Sequence, residues 1–367
     1  MRNQPLSRFI PLPVDSVAAV SDDASAVAVS MRVPGKYRSR FAFSPGQYVT
    51  VRAVVGGVTV LRTYSVCSAP RELDRSGVLR IGIRQLDGGR FSTFAAAELS
   101  AGGTLDVRPP RGSFTTSLEP GRARHYAAVV AGAGITPVLS LIAEALATEA
   151  ASTFSVLYGN RTVRSAMFLE ELADLKNRFG ARIQQLYLFS RESQQVGLPA
   201  RRLDFRTMRS MLGSPLLPCR IDEWFLCGPQ SMVREIRQAL LRNAVPDRDV
   251  KIELFRTGEP GRENRADERA AQHGAGAELT VQAVGRRTSV RIARGQTVLE
   301  AALAARPELP YSCLTGVCGT CRAKVVAGSA RMRSAGSLTE TERAQGFILT
   351  CQAIADTANI EVDYEAT

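Results

Sequence analysis

Long apolar runs are missing from this chain of 367 residues. No stretch approaches the ~18 residues that a membrane-crossing helix requires, although apolar residues make up 45% of the whole. Met1 is followed by Arg2, Asn3, Gln4 and Pro5 and not by an apolar leader, so no membrane association and a cytoplasmic location are expected. Histidine is almost absent. His125 and His273 are the only two, and neither lies near a cysteine, which removes the mixed cysteine–histidine zinc sites. Lysine is confined to Lys36, Lys176, Lys251 and Lys324, so the net charge of +12 rests on scattered arginines. That distribution lacks the clustered basic face of a nucleic-acid binder, and no nucleic-acid partner is expected. It suits phosphorylated cofactors and acidic protein partners instead.

Cysteine is where the chain is specific. Four of the seven stand near the C-terminus, Cys313, Cys318 and Cys321 as C-x4-C-x2-C, with Cys351 further on. This is the ligand spacing of plant-type [2Fe–2S] clusters. Gly316 and Gly319 lie between the ligands and tolerate the positive φ that lets a short loop curl round a cluster. Structural zinc usually takes two C-x2-C clips, and only one is present. Disulfides would call for an oxidising compartment. Cys67 and Cys219 read as small buried residues without a chemical role.

The organisation changes along the chain. Up to residue 118, short β-prone segments such as 47–52 and 78–83 are separated by glycine turns at Gly56-Gly57 and Gly102-Gly103, the pattern of an antiparallel β-barrel. From 119 to 257, apolar strands over 126–130, 153–158, 183–189 and 223–226 alternate with helical stretches over 137–147, 168–179 and 231–241. Such alternation predicts an α/β domain with a parallel sheet. Residues 258–277 lose apolar periodicity and read as a linker. From 278 to 367, a hairpin round Gly285 and a short helix over 298–305 put the cysteines on a compact α+β module.

Three groups of residues upstream of the cysteines carry chemistry. In the barrel, Arg62-Thr63-Tyr64-Ser65 and Gly89-Arg90-Phe91-Ser92-Thr93 offer a guanidinium for phosphate, an aromatic ring and hydroxyls to cover a flavin, and a helix start for a pyrophosphate. Arg-x-Tyr-Ser alone also describes a strand with Tyr64 packed in the core. The α/β segment opens with Gly132-Ala133-Gly134-Ile135-Thr136-Pro137 after a strand, where glycines permit close approach of a dinucleotide and Pro137 suits a first helical turn; the third glycine of the usual fingerprint is absent. Cys227-Gly228-Pro229 follows the strand 223–226, at the strand end where open α/β sheets bind ligands.

These motifs, with Tyr158-Gly159-Asn160-Arg161-Thr162 and Glu253-Leu254-Phe255, resemble the ferredoxin–NADP reductase superfamily over essentially the whole length. The resemblance implies a multidomain fold: a flavin-binding antiparallel β-barrel, an NAD(P)-binding α/β domain and a ferredoxin-like β-grasp domain. It implies FAD bound by Arg62, Thr63, Tyr64 and Ser65, with Gly89, Ser92 and Thr93 at its pyrophosphate. Gly132, Gly134, Thr136, Pro137, Arg161, Gly228 and Pro229 would hold the nicotinamide dinucleotide, and Ser65, Cys227 and Glu253 would border the reacting rings. Phe255 takes the ring-shielding position, a phenylalanine where plant reductases have tyrosine, so stacking survives without a hydroxyl. Ser190 and Arg191 resemble a 2′-phosphate clamp, which favours NADPH, with NADH possible.

A nicotinamide delivers two electrons together and a [2Fe–2S] cluster takes one, so a flavin between them is the natural converter. The expected path runs from NADPH through FAD and the cluster to a terminal oxygenase component. A ring-hydroxylating Rieske enzyme and a steroid hydroxylase are alternative acceptors, and a non-catalytic flavin and cluster sensor is the rival of another class. Arg322, Lys324, Arg331 and Arg333, after the ligand loop, are candidates for meeting the acceptor.

Overall fold

The computed structural model describes residues 9–192, 202–215, 217–254, 276–283, 285–306, 309–311, 314, 316, 319–333 and 338–366. Cys313, Cys318 and Phe255, and the segment read as a linker up to residue 275, lie outside them.

The first six strands are β1 (Ile10–Ala19), β2 (Ala26–Arg32), β3 (Tyr48–Val55), β4 (Val58–Ser65), β5 (Val78–Arg84) and β6 (Thr104–Val107). They form one antiparallel sheet in the order β4-β3-β6-β1-β2-β5. Its edges meet where Val66, just past β4, bridges Ile81 in β5, which closes the curl into the expected barrel. Alternation drives it: Ile10, Leu12 and Val14 point inward while Pro11 and Pro13 face out. Gly56 and Gly57 both take positive φ, 57° and 76°, as a two-residue turn twisted to match its strands demands.

The next five strands are β7 (His125–Ala131), β8 (Thr153–Asn160), β9 (Ile183–Phe189), β10 (Glu223–Gly228) and β11 (Val250–Leu254). All neighbouring pairs are parallel, in the order β11-β10-β7-β8-β9. Strand β7 shows why its sequence is apolar without alternation. Tyr126, Ala128 and Val130 pack toward the helices Ile135–Thr148 and Leu169–Phe179, while Ala127 and Val129 pack toward Phe205–Met211 and Gln230–Arg242. The order reverses between β7 and β10, which opens a crevice at their carboxyl ends.

The last strands are β12 (Ala277–Ala283), β13 (Arg286–Ile292), β14 (Arg322–Ala327), β15 (Ala330–Met332), β16 (Phe347–Leu349), β17 (Ala353–Ala355) and β18 (Asn359–Asp363). A mixed sheet runs β13-β12-β18-β14-β16, with β15 and β17 as a separate ribbon. The helix Val298–Ala305 packs on it, started by a capping box of Thr297 and Glu300. Ala277 is the first residue of β12, so the stretch read as a linker ends before residue 277. Among the described residues, no helix is long and apolar enough to cross a membrane.

Candidate functional site

Two strand ends from different domains meet at the crevice. Ser65, the last residue of β4, is 2% exposed, and its Oγ donates to Glu253 Oε2 at 3.2 Å. Glu253 pairs in register with Cys227 across β10 and β11, and Cys227 pairs in turn with Val130 of β7. The three residues expected at the reacting rings therefore gather in one buried place. Burial, aided by Glu253, pushes the Cys227 thiol well above its ordinary range, so it stays neutral. The backbone pinch around it is tight. A β-carbon on Gly134 would fall 2.2 Å from the Cys227 carbonyl oxygen, and one on Gly228 would fall 3.3 Å from the Ala131 amide nitrogen. Gly134 thus lets the helix start pack on β10. Gly132, at φ 54° with nothing within 4 Å of where its β-carbon would stand, is the glycine that leaves room for a ligand.

On the barrel side, Arg62 and Tyr64 share one face of β4, with Thr63 on the other. The Arg62 guanidinium donates to the Leu61 carbonyl at 2.8 Å. The Tyr64 ring leans on Phe91, centroids 5.5 Å apart, and burial raises its phenol above the ordinary value. The helix Arg90–Ala97 starts from Gly89 and has no acidic residue in its first turn, so its N–H groups are unopposed for a phosphate. Ser92 differs from expectation. Its hydroxyl donates to the Gly89 carbonyl at 3.0 Å and accepts from the Leu86 amide at 3.1 Å, so it fastens the turn, while Thr93 is exposed. A β-carbon on Gly89 would strike the Ser92 hydroxyl at 2.5 Å. These features fit a flavin dinucleotide.

At the α/β side, Thr136 and Pro137 lie in the first turn of the helix Ile135–Thr148, which has no acidic residue there. Both are buried, and the Thr136 hydroxyl is occupied by the Ala133 carbonyl at 2.8 Å, so they shape the turn. Pro229 caps the helix Gln230–Arg242. At the ends of β8 and β9, the Arg191 amide donates to the Arg161 carbonyl at 2.9 Å and the Ser190 amide to Asn160 at 3.0 Å. Both arginine side chains are exposed. Glu192, the nearby acid, is turned away to accept from the Val163 amide at 2.9 Å. The backbones thus bring Arg161, Ser190 and Arg191 to one edge of the sheet, and two exposed arginines there fit a phosphorylated ribose.

In the third module, Cys321 and Cys351 are buried among Leu299, Leu338, Phe347 and Leu349. Thr350 donates to the Cys321 carbonyl through its amide at 3.2 Å and its hydroxyl at 2.8 Å, and Tyr364 donates to that hydroxyl at 2.8 Å. Gln352 Nε2 donates to the Leu314 carbonyl in the ligand loop at 2.7 Å and lies 3.7 Å from Cys351 Sγ. Gly316 and Gly319 take φ of 85° and 70°, as a curled loop requires. Two cysteines in a dry pocket, braced by amide and hydroxyl donors, fit a [2Fe–2S] cluster. Thr350, Gln352 and Tyr364 were not legible as site residues; only the positions of Thr350 and Gln352 on either side of Cys351 hinted at it.

Arg322 pairs with Glu342 at 2.5 Å and Arg331 pairs with Asp356, so two of the four basic residues expected to meet the acceptor have an acid beside them. One expectation needs correction. Cys219 is exposed, not buried, because it follows the helix Phe205–Met211 in an irregular surface stretch.

A flavin barrel, a nucleotide-binding parallel sheet and a plant-type cluster module on one chain define an NAD(P)H-dependent electron-transfer reductase. Residues 11–116 match the oxidoreductase FAD-binding domain, 129–238 the oxidoreductase NAD-binding domain and 281–356 the 2Fe-2S iron-sulfur cluster binding domain. The chain belongs to the ferredoxin–NADP reductase superfamily, in the branch with a C-terminal [2Fe–2S] domain, and serves an oxygenase system with FAD, a [2Fe–2S] cluster and a pyridine nucleotide. It is 37% identical over 363 residues to one of the subunits of the 1,2-phenylacetyl-CoA epoxidase of Escherichia coli (strain K12), covering 98% of this chain and 99% of the relative. The ferredoxin reductase component of 3-ketosteroid-9-alpha-monooxygenase from Rhodococcus rhodochrous is 30% identical, with coverage of 98% and 97%. Among solved structures, phthalate dioxygenase reductase shares the fold, with a TM-score of 0.56 at 24% identity, covering 97% of this chain and 98% of that one.

Proposed function

We propose that the chain passes electrons singly from NADPH, through FAD and the [2Fe–2S] cluster, to the oxygenase of a phenylacetyl-CoA epoxidase. The buried meeting of Ser65, Glu253 and Cys227 carries the reductase chemistry. Higher identity to the epoxidase protein, 37% against 30% at nearly equal coverage, favours that acceptor over the steroid system. Bound flavin supplies the conversion from paired to single electrons. The chain supplies the rest. Ser65 Oγ, oriented by Glu253, is placed to hydrogen-bond the redox edge of the ring, and Cys227 adds a compact, uncharged wall that keeps water out. Arg62 and the first turn after Gly89 would hold the diphosphate, and Phe255 would shield the ring. Cys313, Cys318, Cys321 and Cys351 would ligate the cluster. Cys67, Cys219 and Cys227 are free thiols, which suits a reducing, cytoplasmic setting.

Arg191, with Arg161 and Ser190, would select the 2′-phosphate. Anaerobic titration with NADPH and separately with NADH tests both halves. Full bleaching of flavin and cluster by NADPH is expected, and Arg191→Ala should raise KM for NADPH by ~10-fold or more while leaving NADH little changed. Equal use of both nucleotides by the parent would remove the clamp from the reading. Reconstitution with phenylacetyl-CoA and the epoxidase's oxygenase component tests the acceptor, which is abandoned if only a steroid oxygenase turns over.

A further inference from the structure

The barrel and the cluster module meet along a small crevice, with Leu61 and Arg108 on the barrel side and Leu309, Pro310, Tyr364 and Glu365 on the other. Leu61 directly precedes Arg62 and accepts its guanidinium. Tyr364 holds the hydroxyl of Thr350, which braces Cys321. The contact therefore joins the strand expected to hold the flavin to the scaffold of a cluster ligand.

The barrel face at this contact is crowded with positive charge. The guanidiniums of Arg52 and Arg108 lie over the Phe9 ring at 4.3 and 4.5 Å from its centroid. Asp106 neutralises Arg52 at 2.8 Å, but Arg108 has no such acid on the barrel among the described residues, and its Nε is buried without a hydrogen-bond partner. Burial, Arg111 and Arg52 press Arg108 down to about 10, and Glu365 of the cluster module works against them. Next to it, Arg111 is lowered by burial and by Arg322, and is relieved by Glu342, the acid that pairs with Arg322. Arg322 comes from the cluster module together with its own acid, so the contrast of sign across the contact rests on Arg108, whose barrel neighbours repel it and which Glu365 relieves.

We propose that this face is the docking surface for internal electron transfer, and that Arg108 and Glu365 are the positioning pair that latches the cluster module against the flavin strand. Covalent connection raises the effective concentration of the module, so a partly exposed, salt-sensitive latch suffices to hold it and still lets an acceptor compete for it. The inference rests on the relay from flavin to cluster in the proposed function.

Anaerobic stopped-flow reduction of the full-length holoprotein by NADPH separates a flavin phase from a cluster phase. In the parent, the cluster phase is expected to slow as salt rises while the flavin phase holds. Glu365→Arg should slow the cluster phase about tenfold at low salt, and Arg108→Glu in the same chain should restore most of it. Glu365→Gln, which leaves the barrel intact, should lose the salt dependence. Cluster phases in Glu365→Arg and Glu365→Gln that match the parent at every salt concentration overturn the latch. A parent whose cluster stays oxidised after its flavin is bleached sinks the relay, and the latch with it.

Discussion

Cys67 sits just beyond the residues expected to carry the flavin, with its thiol donating to the Arg80 carbonyl at 3.3 Å. Burial pushes it from 9.0 to about 11. The folded chain therefore holds the thiol proton more tightly than the unfolded chain does. The resulting stability is complete below pH 9 and is lost as pH rises toward 11, on the order of 2 kcal/mol across that window. Cys67→Ala should flatten the fall in urea-melt stability between these pH values, whatever it costs at neutrality; an unchanged alkaline slope would rule the thiol out as its source. Gln352 makes a different kind of contribution. Its amide ties the ligand loop to Cys351, and Gly316 leaves just enough room for its side chain, since a β-carbon there would fall 2.9 Å from Gln352 Cγ. Gln352→Leu keeps the bulk and removes the donors. Loss of iron to a chelator should be ~10-fold faster, followed by the fading of cluster absorbance.

At the scale of strands and helices, the crevice depends on how closely β7 and β10 approach. Gly134→Ala would set a methyl against a backbone carbonyl that cannot turn aside, at an expected cost of about 1–3 kcal/mol in thermal or chemical melts. Gly132→Ala puts its methyl in open space and pays only for its positive φ, so a larger loss there than at Gly134 would reverse the roles assigned to the two glycines. The apolar runs that became β7, β8 and β9 were readable, because strands buried on both faces carry no polar alternation. So were the glycine turn at Gly56-Gly57 and the helix Val298–Ala305, though not the capping box that starts it. The helix Phe205–Met211 was not, since seven residues give barely two turns of periodicity, though Asp204 accepting from the Thr207 amide at 2.7 Å is an ordinary cap. Tertiary approach was also hidden. Ser65 and Glu253 meet across 188 residues, and the packing reason for Gly134 exists only once β10 lies beside β7. Local sequence places residues at strand ends but does not say which ends converge.

Across the whole molecule, the two seams differ in kind. The barrel and the parallel sheet are welded. Arg71 makes a two-pronged pair with Glu144 at 2.9 and 3.0 Å and adds Thr148 at 3.0 Å, Arg80 pairs with Glu171 at 3.4 Å, and the Phe168 amide donates to the Val20 carbonyl at 2.8 Å. Gly82 in β5 lies at the centre of this seam, where a β-carbon would come within 2.6 Å of Thr136 Cγ2 and 2.8 Å of the Phe168 ring. The cluster module, by contrast, faces the barrel along the small crevice lined by Leu61, Arg108, Leu309, Pro310, Tyr364 and Glu365, where the proposed latch lies. Such a division fits the chemistry: transfer from nicotinamide to flavin needs fixed geometry, while the cluster has to face two partners in turn. A wedge in the weld should therefore slow the first step without releasing the flavin. In Gly82→Ala, the β-carbon has to push Thr136 and Phe168 aside, which draws Glu253 and Cys227 away from Ser65. Misplacement of about 1 Å costs up to ~100-fold in a geometry-sensitive step. Stopped-flow flavin reduction by NADPH should fall at least ~10-fold while flavin content and the cluster spectrum match the parent. Parental flavin reduction in a folded, flavin-loaded Gly82→Ala protein would mean that the seam tolerates the wedge, and that the alignment of Ser65 with Glu253 does not depend on it.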